Sequence, residues 1–165
     1  ERESEPQVYA SAQQMFDVVK AACESDKAPD ISIHAAAVAD YRPKHVAPQK
    51  IKKGGDSLVI ELERTRDVLG SMRTEFGFRG VLVGFAAETE NVVPNAQEKL
   101  RCKRCDLVIA NDVSRSDCGF DSDENEVILC LPSGLTETLP KQPKRALGRE
   151  IVRRVVALAE TNLHK

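Results

Sequence analysis

Between Arg42 and Lys53 the chain carries five cations (Arg42, Lys44, Lys50, Lys52 and Lys53) and no acid until Asp56. Ammonium groups on a loop that ends in Gly54 and Gly55 can close over a polyphosphate and neutralise charge developing on the leaving group of a transfer reaction. The same composition also suits a solvated lysine loop. Lys99 and Lys103 form a second cationic pair. Four residues apart, they share one face of the helix predicted there, and two like charges at that spacing cost ~0.2–0.5 kcal/mol unless an anion sits between them. A phosphate would reverse that sign, whereas two ammoniums turned into water leave the cost standing. A third candidate is GFAAETEN (84–91), where small residues let a ligand approach the backbone and Thr89 or Asn91 can open a helix whose free N–H groups favour an anion. An ordinary strand-to-helix turn accounts for the same residues, and Phe85 equally for a core side chain.

The thiols and imidazoles carry less. Cys102 and Cys105 form a C-x-x-C, but zinc needs two more ligands and Cys118 and Cys130 do not make a second such pair. A redox C-x-x-C belongs at a helix start, where the dipole lowers the thiol pKa, and this one lies at a helix end. With Cys23 there are five cysteines at uneven spacing, which argues against a secreted disulfide framework and for reduced thiols. His34 sits inside an apolar run and reads as a hydrogen-bonded core residue. Three scattered histidines support no Ser-His-Asp arrangement.

These candidates must be positioned by a chain of 165 residues with 24 basic and 26 acidic side chains. Its length can remove roughly 70% of the unfolded surface from water without metal or disulfide staples. A net charge of −2, with five Phe, two Tyr and no Trp, gives neither a field nor the stacking platforms for nucleic acid. No window approaches the ~18 apolar residues of a membrane span, and the first residues lack the form of a secretory signal. A soluble, cytoplasmic protein with no nucleic-acid or membrane partner is the expectation.

Residues 1–8 read as a linker or cut end and 9–165 as one domain. Met15, Val18, Val19 and Ala22 have helical spacing, with Ser11 as N-cap, in a helix ending near Asp26. Residues 31–38 form an apolar run of the kind buried on both sheet faces. A polar connection covers 39–56, an alternating half-exposed strand 57–63, and a helix capped by Thr65 runs to about Glu75. Then follow a buried strand at 80–87, a helix at 91–104 with Val92, Ala96 and Leu100 on one stripe, and a buried strand at 106–110. A hairpin turns at Ser133-Gly134, and a last helix from about Pro143 carries Leu147, Ile151, Val155 and Leu158. This alternation predicts an α/β three-layer, Rossmann-like sandwich with a mainly parallel sheet and an antiparallel appendage.

In such sheets ligands bind outside the carboxyl ends of the strands, which is where the candidates above fall. The nine glycines form no G-x-G-x-x-G and no Walker loop, so either phosphates are held differently or a first strand-turn-helix unit has been removed. The residues alone leave open a group-transfer enzyme and a non-catalytic nucleotide-binding Rossmann-like module.

AAAVADYRP, KIKK, TRDVL, VGFAAETEN, the A-x-x-KLRCK helix, DLVIAND and GFDSDENEV, in this order over residues ~8–158, resemble the phosphopantothenoylcysteine synthetases. These are the phosphopantothenate–cysteine ligases of coenzyme A biosynthesis, in bacteria usually the C-terminal half of a bifunctional flavoprotein. The resemblance implies that CTP and Mg²⁺ convert the carboxylate of 4′-phosphopantothenate into an acyl-cytidylate, from which the amine of cysteine displaces CMP. It assigns nucleotide binding to Asp40, Lys50, the turn Arg66, Asp67, Val68 and Leu69, and Phe85, Lys99 and Lys103. Lys50 is the residue expected to affect catalysis most, by charge stabilisation. Ala35, Ala36 and Ala37 would offer backbone groups to the cytosine, and Asp40 and Asp67 would serve sugar hydroxyls, a base amine or Mg²⁺, with the metal near Asp40. Asn111 ends another strand near the pocket. The family also implies a homodimer, with 57–63 contributing to the contact, and a fused or associated flavin-dependent decarboxylase. Two departures stand out. Arg66-Asp67 replaces the usual Pro-Asp, and the family's opening strand, glycine-rich turn and Asn-x-Ser-Ser-Gly segment have no counterpart, so weak or absent ligase activity is expected of the chain by itself.

Overall fold

A computed structural model describes residues 8–52, 54–55, 57–114 and 122–163. Cys118 and the first three residues of GFDSDENEV lie among residues outside that description, as do Lys53 and Asp56.

Helix α1 (Ala12–Glu24) starts where its cap predicts: the Ser11 hydroxyl accepts from the Gln14 N–H at 3.2 Å. Strand β1 is shorter than the apolar run, covering Ile31–His34 with only partial burial. It pairs in parallel with β4 (Val81–Glu88) through His34 and Gly84, and no described strand borders its other side. An edge position explains why Ile33 is 42% exposed and why the run is not buried on both faces.

The polar connection contains a strand that the sequence reading missed, β2 (Tyr41–Pro43), paired antiparallel with β3 (Leu62–Arg64) in a separate ribbon. Cross-strand pairs Arg42 with Glu63 at 2.8 Å and Lys44 with Glu61 at 2.6 Å hold it together. The alternation over 57–63 therefore yields only three strand residues, and Leu58, Val59 and Ile60 precede the pairing, exposed. Helix α2 (Val68–Thr74) is capped by Asp67, which accepts from the Gly70 N–H at 2.9 Å. Thr65 does not cap it because its hydroxyl donates to the Ala39 carbonyl.

Helix α3 (Val92–Lys103) crosses from β4 to the parallel strand β5 (Leu107–Asp112). It ends through Arg104 at φ 53°, where the Cys105 N–H reaches back to the Leu100 carbonyl at 3.0 Å. That left-handed residue closes the last turn and redirects the chain into the sheet. Strands β6 (Glu124–Cys130) and β7 (Thr136–Pro143) add the antiparallel appendage, with Gly134 at φ 87° in their turn. Helix α4 (Lys144–Leu163) follows directly.

The main sheet has the order β1-β4-β5-β6-β7, parallel over its first three strands. Phe16, Met72, Leu82, Leu100 and Val108 belong to the core on the α1, α2 and α3 face; Val83, Ile109, Leu129, Ile151 and Val155 to that beneath α4. The expected α/β sandwich is the observed one. Gly84 matters to the spacing of its layers. A Cβ there would stand 3.0 Å from Leu69 Cδ2 and 3.4 Å from Cys105 Sγ, so the absence of a side chain lets the first turn of α2 lie close on β4.

Candidate functional site

A cleft of about 480 Å³ opens around the carboxyl ends of β1 and β4. His34, Ala36, Asp40 and Tyr41 come to it from β1 and the segment that follows, and Phe85 from β4. The ribbon end and the turn into α2 supply Arg64 to Leu69, α3 supplies Lys99 and Lys103, and Met15 of α1 also reaches it.

The two lysines are not merely solvated. Lys99 donates through Nζ to the Phe85 carbonyl at 2.6 Å, which draws its ammonium to the strand end. Lys103 is ion-paired with Asp67. The anion that makes the four-residue spacing favourable is thus present within the protein, contributed by a turn 36 residues away in sequence. Burial pushes the Asp67 carboxyl up, but the hydrogen bonds from Lys103 and the Gly70 N–H and the charges of Lys103 and Lys99 outweigh it and hold it below its ordinary range. At neutral pH the cleft therefore presents a carboxylate paired with Lys103 and within the field of Lys99, which an incoming polyanion can replace as partner of Lys103.

The other candidates fall unequally. Asp40, Arg66, Asp67, Val68, Leu69, Phe85, Lys99 and Lys103 meet in the cleft wall, as does Ala36, while Ala35 and Ala37 are exposed beside it. Lys50 and Lys52 are exposed on the ribbon loop and do not line the cleft; Arg42 and Lys44 are engaged in the ribbon's ion pairs. Of GFAAETEN only Phe85 reaches the site. Asn91 precedes α3 at φ 49° without a side-chain capping bond, and Asn95 secures that turn by donating to Glu88 at 2.9 Å. Asn111 is the penultimate residue of β5 and stands outside the lining, its Oδ1 buried without a hydrogen-bond partner. Burial, reinforced by the Asp106 charge, pushes the Cys105 thiol up to about 11, so it is a protonated packing group at neutral pH.

Tyr41, Arg64, Thr65 and His34 are cleft residues that sequence reasoning did not select. His34 does make a core-like bond, its Nε2 lying 3.0 Å from the Ser32 hydroxyl, yet it also closes the floor of the site. The signal was available, since His34 is the last residue of a strand whose carboxyl end faces the cleft. Among the described residues no cluster of three or more His, Cys, Asp or Glu side chains is arranged to hold a metal. Of the two carboxylates in the wall, Asp67 is paired with Lys103, and Asp40 by itself would suit a divalent cation only as one ligand among others.

Residues 5–158 match the family described as DNA/pantothenate metabolism flavoprotein, C-terminal domain. The coenzyme A biosynthesis bifunctional protein CoaBC of Vibrio vulnificus (strain YJ016) is 42% identical over 150 residues, which are 90% of this chain and 36% of that protein. Its namesake in Bacillus subtilis (strain 168) is 37% identical over 152 residues, 92% of this chain and 37% of that one. The chain thus spans about a third of the length of these curated relatives. The crystal structure of a CoaBC C-terminal domain superposes with a TM-score of 0.71 at 34% identity, covering 93% of this chain and 65% of that one. A Cab2 variant in complex with phosphopantothenate-cysteine shares the fold at 18% identity and a TM-score of 0.71, over 93% of this chain and 52% of its own.

The His34 imidazole gives the site a pH signature. Burial lowers its pKa from the ordinary 6.5, against a smaller opposing pull from Asp67. The unfolded chain takes up a proton there before the folded chain does, so this contribution to stability is complete above about pH 6.5 and declines as pH falls through the interval below it. Urea unfolding of wild type and His34→Gln at about pH 7.5 and about pH 5.5 is expected to show a smaller acid loss for the variant. Equal losses in both would contradict the assignment.

Proposed function

The chain belongs to the DNA/pantothenate metabolism flavoprotein C-terminal domain family, and from that premise we propose that its cleft binds CTP and joins 4′-phosphopantothenate to cysteine. The observation that carries this reading is the placement of Lys99 and Lys103, one helical turn apart, against the carboxyl end of β4 with Asp67 between α2 and α3. A triphosphate laid along this face exchanges with Asp67 for Lys103 and adds an acceptor for Lys99. Asp67, once released, and Asp40 are acceptor-only groups suited to ribose hydroxyls or the base amine. Exposed backbone at Ala35 to Ala37 adjoins the wall where a cytosine would rest.

In the first step the carboxylate of 4′-phosphopantothenate attacks the α-phosphorus of CTP, forming an acyl-cytidylate and expelling pyrophosphate. In the second the amine of cysteine attacks the acyl carbon, loses a proton and displaces CMP, leaving an amide. Both steps need fixed alignment and cations around departing phosphate. Lys50, on the ribbon loop, is assigned the stabilisation of charge on the leaving group as that loop folds over the bound nucleotide. Mg²⁺ accompanying the nucleotide supplies further charge neutralisation, and Asp40 is the cleft residue suited to it.

The bifunctional relatives support a flavin-dependent decarboxylase as partner activity, on the same polypeptide or associated with it. A cytoplasmic location follows from CTP and the phosphorylated substrate, which are charged and do not cross membranes unaided. We also infer a homodimer through the β2–β3 ribbon, where Leu58, Val59, Ile60 and Leu62 form an exposed apolar stretch that water disfavours. Val59→Glu should shift sedimentation towards a single subunit; an unchanged dimer would place the contact elsewhere.

The ligase reading is tested by pyrophosphate release in the full polypeptide. Release should require both CTP and 4′-phosphopantothenate. Lys103→Ala is expected to raise KM for CTP roughly 10–100-fold, the loss of a charge-assisted contact. Lys50→Ala should lower kcat by roughly 100-fold or more with a smaller change in KM. Nucleotide binding without pyrophosphate release would return the chain to a non-catalytic module, and an unimpaired Lys50→Ala enzyme would remove the role given to that loop.

A further inference from the structure

The turn Thr65-Arg66-Asp67 joins a ribbon outside the main sheet to α2, a helix of only seven residues. Neither neighbour is long enough to fix it alone, since short helices and lone two-stranded ribbons are marginal in water. The Arg66 side chain ties the turn to both α1 and the end of α2. Its Nη2 donates to both carboxylate oxygens of Glu75, at 2.6 and 2.8 Å, and its Cζ lies 3.6 Å from the centroid of the Phe16 ring. Phe16 is fully buried and meets Phe76 edge-on at a centroid separation of 4.8 Å. Lys20 of α1 approaches the same Glu75 carboxylate at 3.8 Å. The guanidinium is therefore stacked on α1 while it is neutralised by the residue that closes α2.

We propose that Arg66 is a positioning residue of the cleft: clamped between Phe16 and Glu75, it sets the turn that presents Asp67 to Lys103 and does not itself bind a ligand phosphate. The planar fork of an arginine satisfies the stack and the carboxylate together, which an ammonium cannot do. Phe16 covers one face of the group and Nη2 is committed to Glu75, which also neutralises its charge, so a phosphate approaching Nε or Nη1 from the cleft would meet a guanidinium that is already paired. Its neighbour Asp67 is the residue on which both the α2 cap and the Lys103 pair depend. The proposal deepens the nucleotide-binding reading above and rests on it for the identity of the ligand, but the clamp itself can be measured without ligand.

Glu75 lies outside the cleft lining, which makes Glu75→Gln the discriminating variant. Hydrogen exchange at the Gly70 amide, held by Asp67, should accelerate in Glu75→Gln and in Arg66→Met, while exchange at Ile109 in the middle of the sheet stays as in wild type. The dissociation constant for CTP should rise about 2–10-fold in each, the size of a stacked, partly exposed ion pair. The double variant should be no worse than the weaker single, because both break one unit. Arg66→Lys, which keeps the charge, should not restore either readout, and the salt dependence of CTP binding should not change. A phosphate-binding Arg66 predicts the opposite: Glu75→Gln would free the cation and tighten CTP binding, and Arg66→Lys would rescue. Tighter binding, rescue by lysine, wild-type exchange at Gly70, or a parallel acceleration at Ile109 would each overturn the proposal. If wild type binds no CTP, the functional reading fails, and exchange at Gly70 still decides the clamp.

Discussion

One carboxylate joins the parts on which the site depends. Asp67 accepts from the first turn of α2 and pairs with Lys103 near the end of α3. It thereby ties the turn leaving the ribbon to the helix that crosses between the two central parallel strands. The same carboxylate offsets the charge of Lys103 and feels that of Lys99, so these two cations have a counter-charge within the protein. Two ammonium groups sharing a helix face would otherwise repel one another. Lys99, held on the Phe85 carbonyl at 2.6 Å, completes the arrangement from the strand side.

This arrangement rests on close packing beneath it. Gly84 leaves room for Leu69, so α2 sits low on β4 and brings Asp67 within reach of α3. Met72 and Phe76 continue the same contact, and Phe76 meets Phe16 of α1. On the opposite face α4 covers β4, β5 and β6 through Leu147, Ile151 and Val155, and leaves the carboxyl ends of β1 and β4 open. The layer structure thus leaves accessible the strand ends where the charges gather.

Much of this is legible in the sequence because it is local. The i, i+4 spacing of Lys99 and Lys103, the apolar stripe of α3, the buried run of β4 and the Ser11 cap all depend on near neighbours. What the sequence conceals is decided by distant partners. Asp67 and Thr65 are both competent caps, and only the ribbon, through the Ala39 carbonyl that takes the Thr65 hydroxyl, decides between them. The run from Ile31 to Val38 has the composition of a central strand, yet its pairing stops at His34 and one side has no described neighbour. His34 read as core because its residue neighbours are apolar, whereas its address at a strand end makes it part of the cleft. Strand β2 lies hidden in a polar segment, since a three-residue strand held by cross-strand ion pairs leaves no periodic signal.

In the proposed nucleotide complex Lys99 and Lys103 together hold the phosphates at the end of β4. The most direct test is amine acylation read by mass spectrometry, with and without saturating CTP. CTP should protect Lys99 and Lys103 while Lys27, exposed in the loop leading into the amino end of β1, reacts as before. Unchanged labelling of both helix lysines in the presence of bound CTP would contradict the account.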